Sequence, residues 1–291
     1  MFGTPTHVSL DEAYDLCARL ARSHYENFTV ASFFLPRGKR MHFYAIYAFC
    51  RFVDDLGDEF EGDRLRSLEY WQAEIDACFS GAPEHPYMIA LQNTIRTFDI
   101  PKEPFLRLIQ ANRMDQTITR YPTYDDLDYY CQHSANPVGH LVLHVCGYRD
   151  EERQRLSDYT CTALQLANFW QDVSRDYAKG RIYIPLEDME TFGYSEDELA
   201  QHKVTEGFRS LMKFQVERAR ELFHDGLPLV DTVDDSLKLD IALFSRGGMS
   251  VLDRIERQNY DVLSRRPVVG KGKKVLLLLS TLLKLKLFGK V

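Results

Sequence analysis

Apolar residues recur every three or four positions along most of the chain, without the strict alternation that marks β-strands. The pattern predicts an all-α protein, and Gly or Pro clusters separate the helices. Ser9, followed three positions later by Glu12, forms a capping box that predicts the start of the first helix. We expect helices over about 9–23, 39–57, 63–79, 86–98, 103–114, 124–147, 151–177, 196–225, 231–245 and 248–264.

The organisation of the chain follows from what separates these helices. No Pro/Gly/Ser-rich linker interrupts the pattern, so we expect one large helical bundle over residues 1–267. A basic and apolar segment, 268–291, follows it. Arg246 to Ser250, with the sequence RGGMS, is expected to be a flexible connection between two helices.

Composition narrows the class of protein. The 291 residues carry a net charge of −7, which argues against a nucleic-acid-binding protein, because the binding face of such a protein is basic.

The six cysteines form no CxxC pair, so we expect reduced thiols rather than a zinc site. The sequence shows neither a signal peptide nor the roughly 20 consecutive apolar residues of a membrane span. A cytoplasmic location is therefore expected.

A first acidic stripe lies in the helix predicted over 39–57. Tyr47, Arg51, Asp54 and Asp58 are spaced i, i+4, i+7 and i+11, so they share one helical face. The other positions of this helix are mostly apolar, which predicts that it is largely buried. Buried carboxylates are costly unless they are paired or bind a metal ion. The alternative is an internal ion pair between Arg51 and Asp55, with solvated acids at the helix end.

A second acidic stripe, formed by Gln165, Asn168, Asp172 and Asp176, falls at i, i+3, i+7 and i+11 on another apolar helix. Four carboxylates and the amide oxygens are suitable ligands for Mg²⁺, which leaves positions for water and phosphate oxygens. Arg175, Lys179 and Arg181 follow in and beyond the last turn and would bind the remaining diphosphate oxygens. If the two stripes face each other across an aromatic-lined apolar cavity, they suit the departure of diphosphate and the formation of a carbocation.

The motifs that contain these stripes resemble those of a known family. His24 to Phe28, Tyr47 to Glu59, Tyr129 to Gly139 and Gln165 to Pro185 are similar to the trans-isoprenyl diphosphate synthases that join prenyl groups head to head. Squalene, dehydrosqualene and phytoene synthases are its members. The resemblance spans roughly residues 15–265. It implies an all-α bundle of the isoprenoid synthase type with a central apolar cavity, a prenyl diphosphate substrate and Mg²⁺ as cofactor.

The resemblance also implies roles for individual residues. Asp54, Asp58, Asp172 and Asp176 would hold Mg²⁺ and diphosphate with the help of Asn168, and Arg51 would bind diphosphate. Tyr47, Gln165, Arg181 and Tyr183 occupy matching polar positions around the substrate. We also expect the substrate to be bound by His24, Asn27, Phe28, Tyr130, Asn136 and Arg175.

The chain departs from the family pattern at several positions. Tyr25 and Asn27 stand where members often carry Ser, and Gln171 stands where they often carry Arg. The loss of that arginine should weaken one phosphate contact, and Arg175, one turn away, is the candidate to compensate.

Two segments, SANPVG from Ser134 and NFWQDVSRD from Asn168, look most like a bacterial hopanoid-pathway branch, the hydroxysqualene synthases. That resemblance implies conversion of presqualene diphosphate and water into hydroxysqualene and diphosphate, without NADPH. Pro137 should bend its helix at the cavity, because it cannot donate a helical hydrogen bond. Asn136 would then hold the water that quenches the cation; alternatively, Asn136 and Pro137 only shape the helix.

The C-terminal segment, KGKKVLLLLSTLLKLKLFGKV from Lys271, is apolar and rich in lysine. It is too short to span a membrane comfortably, and it is typical of an interfacial helix on anionic lipid. This predicts peripheral contact with the cytoplasmic membrane; the alternative is a last helix that packs on the bundle.

Two other functions remain open. One is the condensation of two prenyl diphosphates to presqualene diphosphate, squalene or phytoene. The other is a noncatalytic assembly factor that retains the fold, although the intact acids at all four metal positions argue against it.

Overall fold

The computed structural model describes residues 8–23 and 38–288, and these residues are helical apart from turns, irregular connections and one isolated bridge between Arg120 and Ile182. The all-α prediction is confirmed. The described residues form fourteen helices: α1 Leu10–Ser23, α2 Arg40–Asp58, α3 Arg64–Ser80, α4 Pro86–Phe98, α5 Glu103–Met114, α6 Tyr124–Ser134, α7 Asn136–Cys146, α8 Glu151–Ala178, α9 Leu186–Thr191, α10 Glu196–Ala200, α11 Glu206–Gly226, α12 Leu229–Thr232, α13 Asp235–Arg257 and α14 Lys271–Phe288.

Local capping sets several helix starts. The predicted capping box before α1 is present: the Ser9 backbone N–H donates to Glu12 Oε2 at 2.9 Å, and the Glu12 N–H donates to Ser9 Oγ at 3.3 Å. Thr123 and Ser195 form the same box before α6 and α10.

Several helix boundaries differ from the pattern. The helix predicted over 124–147 is interrupted at Ala135, so that Pro137 lies in the first turn of α7 instead of bending a continuous helix. The helix predicted over 196–225 begins as the short α10 and resumes as α11, because Thr205 caps a new start. The short helices α9 and α12 were not predicted.

The RGGMS segment is the clearest error, because α13 runs straight through it. A Cβ at Gly248 would overlap the Phe223 ring of α11 and meet Leu164 of α8 at 3.0 Å. Gly248 therefore permits close helix packing and does not form a flexible connection.

The described residues form two compact units. The first comprises the described residues up to Thr117 together with Pro137–Gln154, and α2 packs there against α1, α3, α4 and α5. Its core includes the stacked rings of Phe49 and Trp71.

The second unit comprises Ile118–Asn136 and the described residues from Arg155 onward. In it, α13 packs against α11, α12 and α14. Trp170, Phe208 and Phe223 are fully buried in this unit. The boundary expected at residue 267 between a domain and a C-terminal segment stays a prediction, as does the apolar cavity. The six cysteines are free thiols, as expected.

Candidate functional site

The first acidic stripe lies on the face of α2 that is not packed into the core. Phe43, Phe49 and Val53 are fully buried on its other faces, while Tyr47 and Arg51 are half-buried and Asp54 and Asp58 are exposed. The helix is thus packed as predicted, but the two aspartates of the acidic stripe are more exposed to solvent than the apolar surroundings of the helix suggest.

Asp54 is positioned by a side chain from α5. Asn112 Nδ2 donates to Asp54 Oδ1 at 3.2 Å, and Asn112 is itself 6% exposed. Gly57 makes this contact possible, since a Cβ there would overlap the Asn112 amide oxygen. Gln116, one turn after Asn112, donates to the Gly57 carbonyl oxygen at 3.0 Å. The sequence did not reveal this support, because Asn112 is 58 positions from Asp54.

The environment of Asp54 disfavours its negative charge. Although the side chain reaches solvent, desolvation by the surrounding protein and, to a smaller extent, the charges of Asp58 and Asp115 together raise the pKa of Asp54 to about 7. The Asn112 hydrogen bond and Arg51 act in the opposite direction. A cation bound here would relieve the same electrostatic cost.

Arg51 is engaged by acids on its own helix end. Its Nη2 lies 2.5 Å from Asp55 Oδ1 and 3.0 Å from Glu59 Oε1. The ion pair considered as the alternative explanation of the first acidic stripe is therefore present. It involves Asp55 and Glu59 and leaves the roles of Asp54 and Asp58 as predictions.

The second acidic stripe lies on α8 and includes an aspartate that already has a cationic partner. Arg266, in the segment between α13 and α14, donates from Nε to Asp172 Oδ1 at 2.6 Å and from Nη2 to Asp172 Oδ2 at 2.7 Å. These hydrogen bonds are the main cause that raises the pKa of Arg266. A bidentate guanidinium–carboxylate pair combines charge with fixed geometry.

Gln171 holds this arginine in place. Its side chain is 8% exposed; Oε1 accepts from Arg266 Nη2 at 3.1 Å, and Nε2 donates to the Pro267 carbonyl oxygen at 2.5 Å. Arg175, the arginine that the sequence favoured, is 64% exposed at its side chain and its Nε lies 3.6 Å from Asp172 Oδ1. Sequence reasoning missed Arg266, which is 94 positions from Asp172.

Of the remaining residues of the second acidic stripe, Asp176 lines a small pocket beside an aromatic cluster. Asn168 is exposed and Gln165 is half-buried. Asp176 and Arg181 line a pocket of about 10 Å³, roughly the room that one water molecule needs. The Tyr183 ring stacks on Phe169 with centroids 3.7 Å apart, and Tyr121 and Tyr130 complete the aromatic cluster.

Asn136 is a buried polar residue at the start of α7. It is 3% exposed, and its Oδ1 accepts a hydrogen bond from Thr162 Oγ1 at 2.9 Å. The amide is therefore held in one orientation by α8. Its proposed contact with water stays a prediction, as do the roles of Tyr130, Arg181 and Tyr183.

His24, Asn27 and Phe28 lie outside the described residues. Within the part of the chain that is described, no three His, Cys, Asp or Glu side chains converge into a ready-made metal site. The oxygen donors of the two acidic stripes nevertheless have the chemistry that Mg²⁺ prefers.

Comparison with known proteins decides the family. A sequence profile of the squalene/phytoene synthase family matches residues 21–273. The chain belongs to the squalene/phytoene synthase family. Membership confirms the resemblance of the motifs and makes this protein a prenyltransferase-type enzyme of the family that joins prenyl diphosphates head to head.

Individual family members show how far the similarity extends. A 15-cis-phytoene synthase from Synechocystis sp. is 33% identical over 285 residues, covering 93% of this chain and 85% of that protein. A solved squalene synthase, HpnC from Alicyclobacillus acidocaldarius, is 49% identical with a TM-score of 0.84, covering 88% of this chain and 97% of that one. A solved dehydrosqualene synthase is 25% identical with a TM-score of 0.88, covering 95% and 98%.

Proposed function

We propose that this protein is a hydroxysqualene synthase of squalene and hopanoid biosynthesis, which converts presqualene diphosphate and water into hydroxysqualene and diphosphate. The observation that supports a role in squalene biosynthesis is the 49% identity to a squalene synthase over 97% of that chain, whereas the choice of presqualene diphosphate as substrate rests on motif resemblance. The resemblance of the SANPVG and NFWQDVSRD segments to this branch adds to it.

The residues of both acidic stripes supply what diphosphate departure needs. Asp54 and Asp58 of the first acidic stripe, and Asn168, Asp172 and Asp176 of the second, offer hard oxygen donors that would hold Mg²⁺. Bound Mg²⁺ would supply the positive charge that stabilises the leaving diphosphate.

The basic groups would act on the same leaving group. Arg266, held by Gln171, would contact diphosphate oxygens next to Asp172. Arg51 would orient the acids at the end of α2, since it bridges Asp55 and Glu59.

The reaction requires one bond to break and another to form. The C–O bond to diphosphate breaks with its electron pair, and the cation then rearranges. A water oxygen forms the new C–O bond and loses a proton. Asn136, oriented by Thr162, is the buried amide proposed to hold that water. No reductant enters this balance, so NADPH is not expected.

A single incubation experiment tests the proposal. Purified protein with Mg²⁺ receives presqualene diphosphate in water labelled with ¹⁸O, without NADPH, and the products are analysed by mass spectrometry. Labelled hydroxysqualene is expected from presqualene diphosphate. Asp172→Asn should abolish it, whereas Asp225→Asn, at an exposed carboxylate of the same unit, should not.

The phytoene synthase relatives support a second candidate, the condensation of two prenyl diphosphates. Turnover of farnesyl or geranylgeranyl diphosphate, with no product from presqualene diphosphate, would select it and reject the first proposal. Absence of turnover with all three substrates would point to the noncatalytic alternative.

A further inference from the structure

The C-terminal helix α14 is attached to the second unit through one of its faces. Arg246 of α13 donates from Nη1 to Thr281 Oγ1 at 2.6 Å and from Nη2 to Ser280 Oγ at 3.0 Å. Thr281 is completely buried in this contact. Because Arg246 engages two neighbouring hydroxyls, the rotation of the helix about its own axis is fixed.

The outward face of α14 is a continuous apolar surface. Its side chains follow the spacing i, i+1, i+4, i+7 and i+8, which places them on one side of a helix. These side chains are 39–59% exposed, whereas residues of the same types contribute to the buried core elsewhere in the protein. A contiguous apolar patch of this kind marks an interaction site. This outward face consists of Val275, Leu276, Leu279, Leu282 and Leu283.

The charge around this outward face identifies the kind of partner. Residues 262–291 contain eight Lys and Arg and no Asp or Glu, although the whole chain has a net charge of −7. Lys273, Lys274 and Lys284 are exposed on the helix itself. A strongly basic helix with an apolar face suits a partner that has an anionic outer layer and an apolar layer beneath it.

Two other occupants fit less well. No described helix is long and apolar enough to cross a membrane. A second copy of the chain, docked through the same face by two-fold symmetry, would bring the lysines of both copies together, and like charges repel.

We propose that α14 docks the protein on the surface of an anionic lipid bilayer. Leu276, Leu279 and Leu283 insert between the acyl chains, while the lysines lie at the level of the headgroups. The contact between Arg246 and Thr281 keeps the inserted face directed away from the protein. This proposal is independent of which prenyl diphosphate the enzyme uses.

Flotation of the full-length protein with lipid vesicles tests the proposal. We expect binding to vesicles that contain phosphatidylglycerol and much weaker binding to phosphatidylcholine alone. The triple variant Leu276→Ser/Leu279→Ser/Leu283→Ser should lower the partition coefficient about tenfold or more, because affinity scales with the inserted apolar area. Leu65→Ser/Phe79→Ser, at exposed apolar residues of the first unit, is the matched control and should bind like wild type.

A charge variant keeps the test decisive if the serine substitutions alter folding. Lys273→Glu/Lys274→Glu should remove the preference for phosphatidylglycerol while turnover of detergent-dispersed substrate stays unchanged. Unchanged vesicle binding in both variants would overturn the proposal. So would a dimer in sedimentation velocity that the triple variant dissociates, since a second copy would then cover this face.

Discussion

Arg266 gives the sharpest test of how the second acidic stripe is prepared for a charged ligand. Its guanidinium contacts both carboxylate oxygens of Asp172 and also Gln171. In the free protein it therefore competes with any cation for Asp172. Once a cation takes the carboxylate, the same guanidinium is available to a diphosphate oxygen. We expect Arg266→Met to tighten the binding of Mg²⁺ alone and to weaken the binding of diphosphate in the presence of Mg²⁺.

The size of the two affinity changes follows from the solvent exposure of the Arg266–Asp172 ion pair. The side chains of Arg266 and Asp172 are 33% and 22% exposed, so solvent screens the pair. We therefore assign it about 1–2 kcal/mol, above a fully exposed pair and well below a buried one. That range corresponds to roughly 5–30-fold in an equilibrium constant. The two affinities should change by factors of this order in opposite directions.

Isothermal titration calorimetry measures both affinities, first with Mg²⁺ and then with inorganic diphosphate at fixed Mg²⁺. Arg265→Met is the matched control, because Arg265 is the exposed neighbour on the same segment and its loss removes the same charge. If both variants shift both affinities equally, the net charge of the segment matters and the specific contact does not. That result would refute the reasoning.

Three other substitutions test separate parts of the structure. Asp240 is completely buried, its oxygens have no hydrogen-bond partner, and burial raises its pKa to about 7. The folded state therefore binds the extra proton between about pH 4 and 7, and stability falls as pH rises through that window. Relative to wild type, the free energy of unfolding of Asp240→Asn in urea should rise by about 2–3 kcal/mol from pH 5 to pH 8. A pH-independent difference would contradict this. Gly57→Ala should lower turnover, because the added methyl group displaces the Asn112 amide that donates to Asp54. Gly247→Ala is the control and should leave turnover unchanged, because a Cβ at Gly247 meets nothing within 4 Å. Equal losses of turnover in the two variants would refute the packing argument. Asn136→Ala should lower the yield of alcohol product in chromatography, and Thr162→Val should do so less; an unchanged product ratio in Asn136→Ala would exclude the water contact.

The helices were predictable wherever periodicity and capping agree. Ser9 and Glu12 define the start of α1 through contacts within four residues, so the sequence contains all the information that is needed. Gly248 illustrates the opposite case. Glycine disfavours a helix in isolation, and only packing against Phe223 and Leu164 explains why α13 continues through it.

The candidate site divides in the same way. The spacing of each acidic stripe follows from helical geometry, and each lies on a single helix as predicted. The partners that orient its side chains come from distant segments: Asn112 reaches Asp54, and Arg266 reaches Asp172. Such contacts depend on tertiary structure, and a single sequence carries no periodic signal for them.

The partners also make two stripes of similar spacing electrostatically different. Asp54 accepts from a neutral amide and lies near Asp58 and Asp115, whereas Asp172 accepts from a guanidinium. A cation gains more by approaching the first carboxylate, because at the second it must displace an existing positive charge. We therefore expect Asp54→Asn to reduce Mg²⁺ affinity without diphosphate more than Asp172→Asn does, and the difference should shrink once diphosphate is present. Equal losses in calorimetry without diphosphate would mean that the Arg266 contact does not govern access to Asp172.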